Sequence, residues 1–412
     1  MCSSRLRMSS DMVDSLSLKA QALVSSIELT RSGDVVLYAP RALDAVARHT
    51  YLSTSGKKAH ILRADNPTYE SEELFMAYHV YISNAASAFF SYFIMDESSG
   101  LLQPQADIEL PAEPGAVAVS PDQSHMFVAL RSAKYLASYR IDAASGQLTQ
   151  VATSGQEEGP PYLYVDKTGR FLLSSYYGGG NVSVHGINDD YSLSSEPLQT
   201  LETDGHAHSI QTDRANKFAF VPHTNPANAI YQFRFDEHTG KLLPNDPPKI
   251  EPETPEGPRH FAFHPHKDLL YSINENGSTV SAHRFDAQTG TLESFQVIST
   301  LPGGRPVEGN TTAELDITPD GKFLYGSNRG HDSLALFSIA EDGTLEAKGH
   351  FPTEKTPRFF AIDPSGRFLY SVGQDSGGLQ SYAIDSSTGA LEPLEQHEVG
   401  ESPLWITFVK KQ

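Results

Sequence analysis

Residues 357–391 read PRFFAIDPSGRFLYSVGQDSGGLQSYAIDSSTGAL. PRFFAID is an apolar run, and DPSG is a turn in which proline presets φ and glycine accepts a positive φ. RFLYSVG, GLQSYAI and the residues after Gly389 supply three more short runs bounded by Gly, Asp or Ser. None has helical periodicity, so the unit predicts four consecutive β-strands. A single sheet of this kind cannot cover both of its faces and needs like neighbours to stack on.

The neighbours stand in the same chain. The first turn recurs as SPDQSHMF at Ser120, DKTGRFLL at Asp166, DRANKFAF at Asp213, HPHKDLLY at His264 and TPDGKFLY at Thr318. A second marker, an acidic residue and small residues followed by Gly and Leu, recurs at Gly100, Gly146, Gly240, Gly290, Gly343 and Gly389, with Tyr191 of NDDYSL in the remaining place. Successive members lie about 45 to 53 residues apart, the length of a four-stranded propeller blade. The chain from Ala77 to the C-terminus therefore predicts an all-β fold, a seven-bladed β-propeller of four-stranded antiparallel blades. Closing the ring removes the lateral edges that would otherwise invite pairing with other chains. Tyr78–Asn84 reads as a second strand with no first strand before it, and PLWITFV from Pro403 reads as a first strand with nothing after it. The N- and C-terminal strands are thus expected to share one blade.

A propeller of this size is a legitimate single domain, spanning 76–412. Residues 1–75 lie outside the repeat and balance their basic and acidic residues, so the net charge of −20 belongs to the ring. An acidic ring repels polyanions, which argues against a nucleic-acid partner. The N-terminal segment has neither the apolar core of a secretory signal nor a run of 18 apolar residues, so the expected location is the cytoplasm, with no membrane association. The single cysteine is Cys2, which leaves the ring without disulfides or cysteine metal ligands. Met76 opens MAYHVYIS just before the first strand. Residues 1–75 are accordingly expected to be a poorly ordered extension or to come from an upstream start codon; the alternative is a genuine appendage with a short amphipathic helix over 14–29.

In a propeller, ligands bind near the central channel, on a face built from inter-strand loops. The start of a first strand and the end of a second lie at the same edge of a blade, so polar residues there can converge. Four places qualify: His206 and His208 in DGHAHSIQTD, Arg259 and His260 in EGPRHFAFHP, Asn274 and Glu275 in YSINENGS, and Asn328 and Arg329 in YGSNRGHDS. His264 and His266, in the turn HPHK, read as solvated turn residues. The histidines have no metal-ligand spacing, and the glycines of YYGGGNVSV precede no helix that could present amides to a phosphate.

The segments GGGNVSV at Gly178, HSIQTD at His208, GPRHFAFHP at Gly257, AELDITPDGKFLYGSNRGHDSLALF at Ala313 and TPRFFAIDPSGRFLYSVGQ at Thr356 carry a resemblance. Over about four fifths of its length the chain resembles the lactonase family of seven-bladed propellers, which includes a bacterial 6-phosphogluconolactonase and a fungal carboxymuconate cyclase. The resemblance implies a pocket with His208, Arg259, Glu275 and Arg329 as catalytic residues. His206, Asn274 and Asn328 flank it as expected substrate contacts.

Those residue types suit the opening of a lactone by water. Histidine is the natural base near neutral pH, and guanidiniums can stabilise an oxyanion or clamp an anionic group through paired hydrogen bonds. Glu275 could orient either, and no metal or other cofactor is required. The structural rival is that Arg259 and Arg329 pair with carboxylates such as Glu275 or Glu314 and tie blades together. Three readings stand open: a hydrolase of a sugar lactone, 6-phosphogluconolactone foremost, acting as a monomer; a carboxy-cis,cis-muconate cyclase; and a non-catalytic ligand- or protein-binding propeller.

Overall fold

The computed structural model describes residues 77–412 and, before them, the strand segments Ser26–Leu29, Val35–Tyr38, Thr50–Ser55, Lys58–Arg63 and Glu72–Glu73. The chain divides into two compact units, Met1–Met76 and Ala77–Gln412, one residue from the boundary read in the sequence. In the first unit the five segments pair antiparallel in chain order. Ser26–Leu29 is a strand, so the helix expected over 14–29 does not reach it; the rest of that span, and the start-codon and poor-order expectations for 1–75, concern residues outside those described.

The second unit is a ring of seven antiparallel sheets. The second to seventh blades span Pro114–Gly155, Tyr162–Glu202, Gln211–Ile250, Pro258–Ser299, Thr311–Pro352 and Pro357–Glu398, each with its four strands in simple meander order. The first blade combines Pro403–Lys410 with Ala77–Asn84, Phe89–Asp96 and Leu102–Pro104, and Ile108–Glu109 adds a short piece at its outer edge. The C-terminal strand is the innermost of that blade and pairs antiparallel with Ala77–Asn84 from Pro403 opposite Asn84 to Lys410 opposite Tyr78. This is the clasp that the two half-blades at the chain ends predict.

The apolar core lies between blades. One cluster joins Tyr271, Ile273 and Val280 of the fifth blade to Leu315, Leu324 and Phe337 of the sixth, and others repeat the pattern around the ring. The two sequence markers meet across these interfaces. Tyr271, Tyr325, Tyr370 and Tyr81, each on a second strand, donate their hydroxyls to the carbonyls of Gly343, Gly389, Gly100 and Gly146 of the next blade at 2.6–2.8 Å. Gly290 shows why the marker is a glycine. Its φ is +73°, and a Cβ there would overlap the ring of Phe218 in the preceding blade.

The first turn also has a chemical cause. In the third, fourth and seventh blades one carboxylate oxygen of Asp166, Asp213 or Asp363 accepts two successive backbone N–H groups across the turn. His264 takes this place in the fifth blade. It is buried, accepts the N–H groups of His266 and Lys267 on Nδ1 at 3.1 Å, and donates from Nε2 to the Gly321 carbonyl. The expectation that it is solvated is therefore wrong, whereas His266 lies in an exposed setting at the turn.

Candidate active site

The channel positions follow the repeat. In the first, fifth and seventh blades the pairing of the innermost strand with the second skips one residue just after a proline, leaving Leu404, Arg259 and Arg358 as bulges. A bulge re-aims the side chain of its extra residue. The equivalent places in the third and fourth blades are Pro161 and His208, and these five residues line one small cavity on the channel together with Arg131, His260 and Trp405. The fourth blade differs further: its innermost strand is reduced to Gln211–Thr212, and an isolated bridge from Ala207 to His223 carries the chain past His208. The residues at or just past the ends of the second strands make a second ring at the same mouth, including Arg131, Tyr177, Glu275, Arg329 and Gln374.

Glu275 stands between two arginines. Its Oε2 lies 3.1 Å from Arg259 Nε and its Oε1 3.1 Å from Arg329 Nη2. Arg259 Nη1 donates to the Ala313 carbonyl at 2.5 Å and Arg329 Nη2 to the Thr312 carbonyl at 2.8 Å, so both guanidiniums are braced on the sixth blade. Arg358 donates to Gln374 Oε1 at 3.3 Å and has no ion pair among the described residues. Burial first, and then repulsion among the guanidiniums, push Arg259 down from the ordinary arginine range and Arg358 to about 10. Burial pushes the Glu275 carboxyl up, but Arg259 and Arg329 outweigh it and hold it below the usual range. The mouth thus concentrates positive charge in a protein whose net charge is −20.

His208 lies against this cluster and is buried. Its Nδ1 is 3.1 Å from Nε2 of His260, whose Nδ1 is in turn 2.8 Å from Oε2 of Glu314. No protein partner meets His208 Nε2 among the described residues, and the ring lines the small cavity. Burial, then Arg259, His260, Arg358 and Arg329, lower the pKa of His208 well below the ordinary imidazole value, so it stays neutral. Tyr177 borders it edge-on at 5.7 Å and stacks on His206 at 4.3 Å.

The structure therefore brings His208, Arg259, Glu275 and Arg329 together. It sets His206 at the rim, where Nδ1 hydrogen-bonds the Asn225 carbonyl. Asn274 and Asn328 are placed otherwise. Both are completely buried: Asn274 donates to Thr279 and Ser281 at 2.8 Å, and Asn328 bonds Thr300 and Ser333. Asn84 does the same work in the first blade, bonding Phe89 and Ser91. These asparagines are struts that fix the strand end before Glu275 and Arg329, a correction to their reading as substrate contacts. Arg358 and Glu314 are side chains that the sequence reading left out of its site, and His260 stood among its candidate places without a role. A position-by-position alignment of TPRFF with GPRHF would have found Arg358, because both bulges follow a proline.

The small cavity holds about 20 Å³, room for one water-sized group. A larger cavity of about 370 Å³ opens at the other end of the channel, among Tyr164, Lys167, Arg214, Glu314 and Asp316. Its charges are of both signs, so the surplus of guanidinium belongs to the first mouth alone. Among the described residues no group of three His, Cys, Asp or Glu is placed to hold a metal ion, and no helix is long and apolar enough to cross a membrane.

The family model described as lactonase, 7-bladed beta-propeller, matches residues 78–408. The chain belongs to this family. Among its lactonase relatives, the 6-phosphogluconolactonase of Pectobacterium carotovorum is 35% identical over 304 residues, covering 73% of this chain and 90% of that protein. The 6-phosphogluconolactonase of Serratia proteamaculans is 34% identical over 317 residues, covering 76% and 93%. A solved structure of a periplasmic gluconolactonase from Pseudomonas aeruginosa superposes with a TM-score of 0.75 at 25% identity, covering 82% of this chain and all of that one.

Proposed function

We propose that this protein hydrolyses a phosphorylated sugar lactone, 6-phosphogluconolactone, to 6-phosphogluconate in the pentose phosphate pathway. The observation that carries the reading is the concentration of Arg259, Arg329 and Arg358 around one neutral histidine whose Nε2 faces a cavity the size of a water. Relatives named 6-phosphogluconolactonase support the substrate class. In this reading His208 takes the proton of a water held in the small cavity as that water adds to the lactone carbonyl. The carbonyl oxygen, as it becomes an oxyanion, meets a guanidinium, and a second guanidinium takes the phosphate with two parallel hydrogen bonds. Glu275 keeps Arg259 and Arg329 in register and offsets part of their repulsion. Expulsion of the ring alkoxide returns the proton from His208 to the leaving oxygen. The same reading places the enzyme in the cytoplasm as a monomer.

The test is hydrolysis of freshly generated 6-phosphogluconolactone, followed by coupled NADPH formation after subtraction of spontaneous opening, with unphosphorylated gluconolactone alongside. Acceleration with preference for the phosphorylated lactone is the expected result. A folded protein that accelerates neither would transfer the site to a carboxylated muconate, whose carboxylates the same arginines could hold, and failing that to a binding role.

A further inference from the structure

The chemistry at the first mouth sets a problem that His208 alone does not solve. Lactone and water yield a hydroxy acid whose carboxyl ionises at neutral pH, so each turnover releases one net proton. Holding that proton on His208 makes an imidazolium beside Arg259, Arg329 and Arg358, the same charges that depress its affinity for a proton. His260, buried behind it, is depressed by burial and by the same three arginines. Neither imidazole is a resting place for a positive charge.

The hydrogen-bond chain from His208 leads away from the arginines. Glu314 is buried on the innermost strand of the sixth blade; its Oε2 meets His260, its Oε1 accepts the N–H of Leu315 at 3.1 Å, and the residue lines the 370 Å³ cavity at the opposite mouth. Asp316, two residues on and bordering the same cavity, accepts the N–H groups of Ile317 and Ile362. Burial pushes the Glu314 carboxyl well above the usual range; Arg259 opposes this and Asp316 adds to it. Tyr162, whose hydroxyl accepts from Gln211, packs edge-on against the buried His260 at 5.2 Å, and Trp405 borders it at 6.5 Å.

We propose that His260 and Glu314 form a proton path through the centre of the ring, which takes the product proton from His208 and delivers it to the cavity on the opposite face. Substrate and proton then use different ends of the channel. With Glu314 ionised, His260 donates from Nδ1 to it and accepts from His208 Nδ1, which leaves the lone pair of His208 Nε2 free to act as base. Once the water's proton has gone from Nε2 to the ring oxygen, Nε2 takes the proton of the product carboxylic acid; the Nδ1 proton of His208 then passes to His260 Nε2, and the Nδ1 proton of His260 passes to Glu314. The result is a neutral carboxylic acid and two neutral imidazoles, with no net charge added beside the guanidiniums. The Glu314 proton then leaves to solvent in the opposite cavity, where Asp316 is the adjacent acceptor, and reorientation of the two imidazole rings restores the starting tautomers before the next turnover. His260 and Glu314 act through His208 and are positioning residues.

The inference rests on the hydrolytic reading of the site, and the experiment separates the two. Steady-state kinetics of the full chain and of Glu314→Gln are compared across pH, with a proton inventory in mixtures of H₂O and D₂O. The glutamine can still accept from His260 but cannot take a proton. Expected are a fall in kcat of about tenfold or more with KM within about twofold, since proton transfer is worth roughly 10²- to 10⁴-fold. The acid limb of kcat/KM disappears in the variant, and a curved inventory in the parent becomes linear. A loss of kcat with the pH profile and the curved inventory intact marks a packing role for Glu314 and overturns the path; so does unchanged kcat. Should the variant not fold, a linear, one-proton inventory in the parent chain overturns it equally. An inactive parent overturns the hydrolytic reading itself.

Discussion

The two ends of this ring use the same repeat in opposite ways. At the end where the strand-turn glycines lie, the blades resemble one another: an Asp or its stand-in ties the first turn, and four second-strand tyrosines reach the turn glycine of the next blade. At the other end the same register positions hold Pro161, His208, Arg259, Arg358 and Leu404, no two successive blades but the fourth and fifth carrying a polar residue there. Sameness serves the interfaces between blades, because every interface is the same packing problem. Difference serves the channel, because several unlike groups must meet around one point.

Removal of residues 403–412 tests the shared framework most severely. It deletes the innermost strand of the first blade and opens the ring, and we expect loss of cooperative unfolding by circular dichroism; a folded, soluble truncation would break the idea that closure holds the ring. Next in size is Gly290→Ala, where the positive φ and the overlap with Phe218 together cost about 3 kcal/mol. Gly309→Ala is the contrast, with a positive φ but nothing within 4 Å of a Cβ, and costs about 1 kcal/mol in the same chemical denaturation. Equal losses at the two sites would show that the close approach between blades contributes nothing.

At the other mouth the effects belong to kinetics. His208→Gln is expected to lower kcat roughly 10²-fold with an unaltered melting temperature. Arg329→Lys is expected to raise KM for the phosphorylated lactone about tenfold while sparing kcat, because an ammonium cannot reproduce a bidentate contact. A melting temperature that falls with activity in either variant would turn these residues into further struts and erase the distinction between the two ends.

Legibility followed the same division. The turn motifs and the glycine spacing disclosed the blades, and the incomplete strands at Tyr78 and Pro403 disclosed the clasp, because local turn chemistry and strand periodicity are written in consecutive residues. His208, Arg259, Glu275 and Arg329 were legible from strand-end position and family resemblance. Asn274 and Asn328 were misread because a polar residue at a strand end looks alike whether it faces a channel or braces a turn. The helix over 14–29 that the alternative reading of the N-terminal segment carried gave way at Ser26–Leu29, where antiparallel partners in Val35–Tyr38 override a local amphipathic pattern.

What the sequence by itself determined is the number of blades, their closure and the residue types that meet at the channel, since each depends on a short motif or on its period. Only the tertiary structure decided which of those residues touch. Glu275 between two arginines spans the fifth and sixth blades, and the chain from His208 through His260 to Glu314 crosses three. Contacts of that kind join positions about fifty residues apart, and they arise from the curvature of the closed ring and the bulges that turn side chains into it. Neither has a signature in the residues on its own.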